Sequence, residues 1–338
     1  MSNRDVLILN GDEIHAALAG REQEIIDIVE AAYKVHAAAD SSLPNSLFLR
    51  FPNDERNRII ALPAYLGREF NVAGMKWVSS FPGNLDKGLN RASAVIIMNS
   101  AETGRAEVVM EGSLISAKRT AASAALAARC IHTQSAPETV GFLGCGPINF
   151  EVARFLSIVF PNISRVLVFD VDVSRAVQFK ENCAELAAGW NVSVVAESRH
   201  VFESANLVSL ATTAVQPHIF DVSMCPPGST ILHVSLRDFS PEVILSADNV
   251  VDDKEHVCRA RTSVHLAEQI AGNREFIRCT LADIANGVAR PKADPDAVTI
   301  FSPFGLGVLD LAVGKLATDF AAEHRFGTRI ESFLPPSY

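Results

Sequence analysis

Apolar positions along the first third of the chain change period more than once. Over residues 21–38, Ile25, Ile26, Ile28, Val29, Ala32 and Val35 recur at the spacing of one helix face. Strand-like runs follow at 46–51, 58–64, 72–79, 94–98 and 106–110. The last two are joined by Asn99-Ser-Ala-Glu-Thr-Gly104, a hairpin-type connection. This spacing predicts a mostly antiparallel sheet with helices on one side.

From Thr139 onward the pattern becomes regular. Short apolar strands at 140–143, 166–169, 192–195, 207–210, 230–234 and 249–251 alternate with helical stretches, notably 148–159 and 174–187. Alternating strand and helix predicts a parallel, doubly wound sheet. The pattern breaks again near residue 300, and 308–322 reads as a helix able to pack back on the first domain. The small-residue run over 121–128 reads as a buried helix, and the longer helix near 114–130 is expected to cross between the two domains. The fold class expected is therefore α/β, with a Rossmann sheet inserted into a discontinuous α+β domain. The borders expected are 1–121 plus 302–338 for the outer domain and 122–301 for the inserted one.

Composition narrows the partners. The chain has 338 residues, 48% of them hydrophobic, and a formal net charge of -9. Two ordinary domains fit that length. The acidic balance without a basic run argues against nucleic acid or an anionic membrane surface. No apolar stretch is long enough to span a bilayer, and the start lacks a signal core, so the expectation is a cytoplasmic protein. The six cysteines form no CxxC pair and none stands beside a histidine at metal-ligand spacing. They read as reduced thiols, and no metal is expected.

The chemistry-bearing motif is Val140-Gly-Phe-Leu-Gly144-Cys-Gly146-Pro147-Ile148-Asn149, directly after a strand and opening a helix. Gly144 permits a tight turn, and Gly146 lets the backbone approach a pyrophosphate at the helix N-terminus. The third fingerprint position is Asn149 rather than Gly or Ala. Asp170 ends the next strand twenty-four residues after Gly146, where an acid accepts from the adenosine ribose and repels a 2′-phosphate. NAD is the cofactor expected. The alternatives are an ordinary βα turn for the glycines and a helix N-cap for Asp170. Ala211-Thr212-Thr213 forms a second loop at the carboxyl edge of the sheet, where a cofactor lies, though hydroxyls also merely cap turns.

With Gly74-Met-Lys76-Trp-Val, Ser116-Ala-Lys-Arg119-Thr120-Ala-Ala-Ser and Phe304-Gly-Leu-Gly, the chain resembles the ornithine cyclodeaminase/mu-crystallin family over nearly its whole length. Within it, the chain is similar to the branch that makes siderophore and antibiotic precursors. The carrying strings are Leu49-Arg50-Phe-Pro52, Ser80-Phe-Pro-Gly-Asn84, Ser235-Leu-Arg237-Asp238, Asn249-Val-Val-Asp-Asp-Lys-Glu-His-Val257 and Ile300-Phe-Ser-Pro-Phe-Gly305. The resemblance implies an open barrel-like, dimerising substrate domain around an NAD-binding Rossmann domain, and hence a homodimer. It implies that Lys76 engages a substrate carboxylate or a reacting water, and that Arg119 holds the α-carboxylate. Thr120 and Asn149 match positions near the cofactor phosphates, and Pro147, Ile148, Ala211, Thr212, Ser235 and Gly305 complete the implied cofactor contacts. Asp238 matches the catalytic acid/base.

Two departures stand out. Cyclodeaminases carry Gly-Ala before that aspartate, and here Leu236-Arg237 stands there; the added cation suits a substrate richer in carboxylates than ornithine. Asn45 stands where the branch is expected to carry histidine. The implied reaction is NAD-dependent oxidation of N-((2S)-2-amino-2-carboxyethyl)-L-glutamate to an imine, followed by hydrolysis to L-2,3-diaminopropionate and 2-oxoglutarate. Arg50, Arg119 and Arg237 would fork the carboxylates. Other readings stay open: an ornithine or lysine cyclodeaminase, or a mu-crystallin-like binder of a cofactor and a small ligand. Lys76 also fits an outward strand lysine, and Asp238 a salt bridge to Arg237. His233 reads as a satisfied core histidine, Asp252 and Asp253 as helix caps near His256, and His265 with Glu268 as a helix-surface pair.

Overall fold

The structure is a computed structural model and describes residues 4–132 and 136–336. The chain divides into two compact units, one of Met1–Arg119 with Leu306–Tyr338, the other Thr120–Gly305. The sequence placed these borders after 121 and after 301. Among the described residues, no helix is long and apolar enough to cross a membrane.

The first unit is built on an eight-stranded sheet. Its order runs Thr328–Ile330, Val6–Leu9, Ala106–Glu111, Ala92–Asn99, Val72–Ser80, Asp54–Leu66, Ser41–Ser42, with Leu47–Phe51 also pairing with Asp54–Leu66. Val6–Leu9 and Ala106–Glu111 pair in parallel; the other pairs are antiparallel. The sheet stays open, as the path has two distinct ends. Helices Glu22–Ala37 and Gly307–His324 belong to this unit. In the first, Ile25, Ile26, Val29, Ala32 and Tyr33 are wholly buried, which is the predicted apolar stripe. The second is apolar on nearly every side, and Gly307–Gly314 are all buried; a helix with no polar face belongs inside a core.

The second unit carries an eight-stranded, all-parallel sheet. Its order is Asn191–Val194, Arg165–Phe169, Thr139–Leu143, Leu207–Leu210, Thr230–His233, Thr299–Ser302, Asp248–Val251, Ile277–Thr280. Val140, Phe142, Leu207, Val208, Leu210 and Ile231 are wholly buried, as parallel strands covered on both faces must be. The strand order reverses between Thr139–Leu143 and Leu207–Leu210, so the carboxyl ends of that pair form the crevice where this architecture takes ligands. Ala121, Ala122 and Ala124–Ala128 on helix Ser113–Ile131 are wholly buried.

Five strands lie outside the predicted set: Val6–Leu9, Ser41–Ser42, Ile277–Thr280, Thr299–Ser302 and Thr328–Ile330. Each has only two to four residues, too few to show a period. Thr299–Ser302 nevertheless fills the centre of the parallel sheet, with Thr230–His233 on one side and Asp248–Val251 on the other.

Candidate active site

The glycine-rich turn closes as the sequence requires. Gly144 has φ +85°, and a Cβ there would lie 2.6 Å from the Ala211 carbonyl oxygen, so only glycine fits. Gly146 is the N-cap of helix Pro147–Val159, and a Cβ there would meet nothing within 4 Å. The helix start carries no side-chain cap hydrogen bond. Bare amides at the positive end of a 13-residue helix fit a pyrophosphate. Ile148 is half-buried on that first turn and Pro147 is exposed.

Asp170 is half-buried beside this turn. Its Oδ2 accepts from the Cys145 amide at 2.7 Å and its Oδ1 from the Asp172 amide at 2.9 Å. Two of about four lone-pair sites are thus used, and the rest can accept from further donors. The N-cap of helix Val173–Leu186 is Asp172, so Asp170 is not the cap.

The Asn149 side chain is engaged within the fold. It is wholly buried, and its Nδ2 donates to the carbonyls of Leu143 at 2.8 Å and Gly144 at 2.7 Å. Its Oδ1 accepts from Ser209 Oγ at 2.7 Å. Both ends of the amide are consumed inside the fold, so its side chain holds the turn rather than a phosphate. Thr120 is half-buried on helix Ser113–Ile131.

The first unit holds a buried ion cluster. Cross-strand register places Lys76 opposite Leu62 and Ile96, and Ile96 in turn opposite Met110, on the inward face of the sheet. Its neighbour Trp77 faces the other way and is partly exposed. Lys76 is therefore no outward strand lysine: it is 2% exposed, with Nζ 2.7 Å from Asp310 Oδ2 and 3.0 Å from Ser116 Oγ. Arg119 Nε donates to Asp310 Oδ1 at 2.9 Å. Two cations share one wholly buried carboxylate, leaving the trio one positive charge in excess. Burial, reinforced by the Arg119 charge, lowers the Lys76 amine from 10.5 to about 8, although Asp310 opposes the shift.

Arg50 is not gathered into this trio. It lies opposite Arg58, which lies opposite Ser80, so it shares the inward sheet face but stands four positions along from Lys76. At ordinary strand rise that is roughly 13 Å. Arg50 is exposed, with its guanidinium 5.6 Å from the Phe48 ring centre.

The second unit holds a buried carboxylate. Asp238 is wholly buried and accepts from Thr212 Oγ1 and Ser235 Oγ. His218 Nε2 lies 3.1 Å from its Oδ1, and His233 Nε2 lies 3.2 Å from its Oδ2. Burial alone would raise its pKa, but the bonds from His233, Ser235 and Thr212 and the His233 charge outweigh it and hold the group well below the usual carboxylate range. Arg237 Nη2 donates to the Ala260 carbonyl at 2.9 Å. Thr212 and Ser235, both expected to touch the cofactor, direct their hydroxyls at Asp238. The Ala211 amide is bonded to the Leu143 carbonyl at 3.0 Å.

Gly305 is likewise internal. Its amide donates to Asp252 Oδ2 at 2.7 Å, and the Phe304 amide donates to Oδ1 at 2.9 Å. Asp252 thus ties down a loop, and Asp253 alone caps helix Lys254–Val257. The surface pair of His265 with Glu268 does not form: Glu268 pairs with Arg274 at 2.5 Å, and His265 Nδ1 accepts from the Arg261 amide at 3.2 Å.

Sequence reading missed Asp310 and His218, and gave His233 only a core role. Asp310 carried a usable signal, an acid embedded in the apolar run Val308-Leu-Asp-Leu-Ala-Val. His218 had none, because its partner lies twenty residues away.

The profile of the ornithine cyclodeaminase/mu-crystallin family matches residues 12–325. The chain is 29% identical to N-((2S)-2-amino-2-carboxyethyl)-L-glutamate dehydrogenase of Staphylococcus aureus, over 98% of this chain and 100% of that one. An archaeal alanine dehydrogenase dimer with bound NAD superposes with TM-score 0.86 at 27% identity, covering 97% of this chain and 99% of the other. Delta(1)-pyrroline-2-carboxylate reductase of Thermococcus litoralis, solved with NADH and L-proline, superposes with TM-score 0.88 at 26% identity, covering 96% and 100%. An open mixed sheet, an inserted parallel sheet and a profile match over nearly the full length agree, and the chain belongs to the ornithine cyclodeaminase/mu-crystallin family.

Proposed function

We propose that this chain cleaves N-((2S)-2-amino-2-carboxyethyl)-L-glutamate oxidatively to L-2,3-diaminopropionate and 2-oxoglutarate, supplying a precursor for a siderophore or peptide antibiotic. The chain is an NAD-dependent oxidoreductase of its family. When bound, the nicotinamide supplies the oxidation by accepting hydride from the glutamate Cα. The Gly144–Gly146 turn and the first turn of helix Pro147–Val159 hold its pyrophosphate, and Asp170 holds its adenosine ribose.

The observation that carries the reading is the Lys76–Arg119–Asp310 trio. Its excess positive charge is buried, and Nε is the one Arg119 guanidinium nitrogen bonded among the described residues, leaving Nη1 and Nη2 for a carboxylate. A charge-assisted fork in such a site is about twice as strong as a neutral hydrogen bond. Arg50, further along the same sheet face, answers a second carboxylate of an extended substrate. Lys76 and Arg119 fix the glutamate α-carboxylate, so the Cα–H is presented in one orientation.

A second copy of the chain covers the opposite sheet face. There Leu47, Ala61, Trp77 and Val95 align across four strands, and Leu47, Trp77 and Val95 are exposed. The dimeric alanine dehydrogenase relative supports this assembly. All six cysteines are free thiols, which suits the cytoplasm.

The test supplies the glutamate adduct, ornithine or lysine separately with NAD⁺. The adduct should yield NADH and 2-oxoglutarate in equal amounts and no ammonia. Ammonia and a cyclic product from ornithine or lysine, with no standing NADH and an inert adduct, would make the chain a cyclodeaminase.

A further inference from the structure

We propose that Arg237 is a positioning residue: it latches the loop 258–262 to the turn that carries Asp238, and so fixes the carboxylate that moves protons in the reaction just described. The proposal rests on that reaction, with Asp238 as its acid/base. All the residues concerned belong to one unit, Thr120–Gly305.

The turn 235–238 is strained. Leu236 has φ +69°, a left-handed conformation in which the Cβ of an L-residue crowds the following carbonyl. Its side chain is buried in the core of the unit, so the residue cannot simply turn outward. Strain of this kind persists only where the surroundings over-determine it. Here the loop 258–262 does so. Ser263 opens helix Ser263–Ala271, and an amide at that position has no partner inside its own helix. It donates instead to the Leu236 carbonyl at 2.7 Å. One residue on, the bond runs the other way: Arg237 Nη2 donates to the Ala260 carbonyl at 2.9 Å.

The loop that receives Arg237 is strained too. Ala260 and Arg261 are consecutive left-handed residues, with φ +54° and +56°. The Arg261 amide donates to His265 Nδ1 at 3.2 Å, and Thr262 Oγ1 donates to the Val257 carbonyl at 2.6 Å. Two strained turns thus hold each other through a pair of opposed hydrogen bonds. On its other side the Asp238 carbonyl accepts from the His218 and Ile219 amides at 2.8 and 2.9 Å, and Ile219 bridges Phe239 in parallel. The backbone of Asp238 is therefore set between two loops, and Arg237 is the side chain that ties the second one. Without that tie Leu236 can relax towards negative φ, and rotation there turns the peptides that aim the Asp238 carboxylate.

The experiment separates a latch from a carboxylate fork. Arg237→Met keeps the aliphatic stem and removes the donors, whereas Arg237→Lys restores one. A carbonyl needs a single N–H, so lysine can serve the latch, but it cannot replace a bidentate fork. With the adduct and NAD⁺, Arg237→Met should lower kcat by about 10²-fold, the cost of a reacting group displaced by about 1 Å. The KM for the adduct and the affinity for NAD⁺ should stay at the wild-type values, and Arg237→Lys should recover most of kcat. Hydrogen exchange of the full chain reads the latch directly. The amides of Ser263, His218 and Ile219 should exchange faster in Arg237→Met and slow again in Arg237→Lys. A raised KM with kcat intact and no rescue by lysine would make Arg237 a substrate ligand and overturn the proposal. Wild-type exchange at His218 and Ile219 in Arg237→Met would overturn it as well, because the latch would then stop short of Asp238. If the wild type does not oxidise the adduct, the substrate reading fails by itself; the kcat and KM comparison then moves to ornithine or lysine, and the exchange pattern still decides the role of Arg237.

Discussion

Asp310→Asn isolates the charge of the buried trio while preserving its shape. The carboxylate lies 2.7 Å from Lys76 Nζ and 2.9 Å from Arg119 Nε with no exposure to water. The variant leaves two enclosed cations without their counter-ion. Removing one partner of a buried ion pair costs about 3–5 kcal/mol, and that loss is expected near pH 7. The pH dependence follows from Lys76. Its amine titrates at about 8 rather than 10.5, chiefly because burial disfavours the charged form. A base lowered by folding is destabilising while charged. That cost is full below about 8 and is relieved as pH rises towards 10.5, because the unfolded chain binds the extra proton across that window. The gap is worth about 3 kcal/mol in the wild type. Without Asp310, whose charge opposes the shift, the Lys76 pKa falls further, so the rise of stability with pH starts below 8 and grows larger. Urea unfolding at pH 7 and pH 9 reads both effects from the midpoint. A variant that loses less than about 1 kcal/mol at pH 7, with the wild-type change between the two pH values, would refute the ion cluster as the organising feature of this unit.

Three further outcomes are expected. NAD⁺ should bind well and NADP⁺ poorly, because Asp170 would face the 2′-phosphate; equal calorimetric affinities would remove that role. Asn149→Ala deletes the bonds between the glycine-rich turn and Ser209 and should weaken NAD⁺ binding by about 1–3 kcal/mol, as buried partners are left unsatisfied; an unchanged dissociation constant would show that the turn holds itself. Trp77→Glu places a charge on the exposed apolar row and should shift the chain to monomers in sedimentation; a wild-type oligomer would move the interface elsewhere.

The long periodic segments could be read directly from the sequence. Helix Glu22–Ala37 and the Rossmann strands from Thr139 to Leu210 declared themselves because burial on one face, or on both, writes a period into the residues. Lys76 illustrates the limit. Strand alternation assigns it to one of two faces, and only the register with Leu62 and Ile96 decides which. The candidate site divides in the same way. Gly144, Gly146 and Asp170 stand in a local motif, so spacing was enough. The partners of Asp238 at Thr212 and His218 lie more than nineteen residues from it, and the Asp310 partner of Arg119 lies 191 residues away. Pairings of that range leave no periodic trace, because they depend on how distant elements dock.

The position of Thr299–Ser302 has a consequence for biosynthesis. This strand is translated after both of its neighbours, yet it must lie between them. A nascent chain that has emerged only through Asp248–Val251 would have to leave a strand-wide gap or pair the wrong edges. The first unit waits even longer, since helix Gly307–His324 forms part of its core and Thr328–Ile330 pairs with Val6–Leu9. Neither unit can close on the ribosome until almost the last of these elements is made, so the contacts that complete both are of long sequence separation and slow to form. Unpaired strand edges and apolar faces therefore stay open through most of translation, which makes this chain a natural client for chaperones.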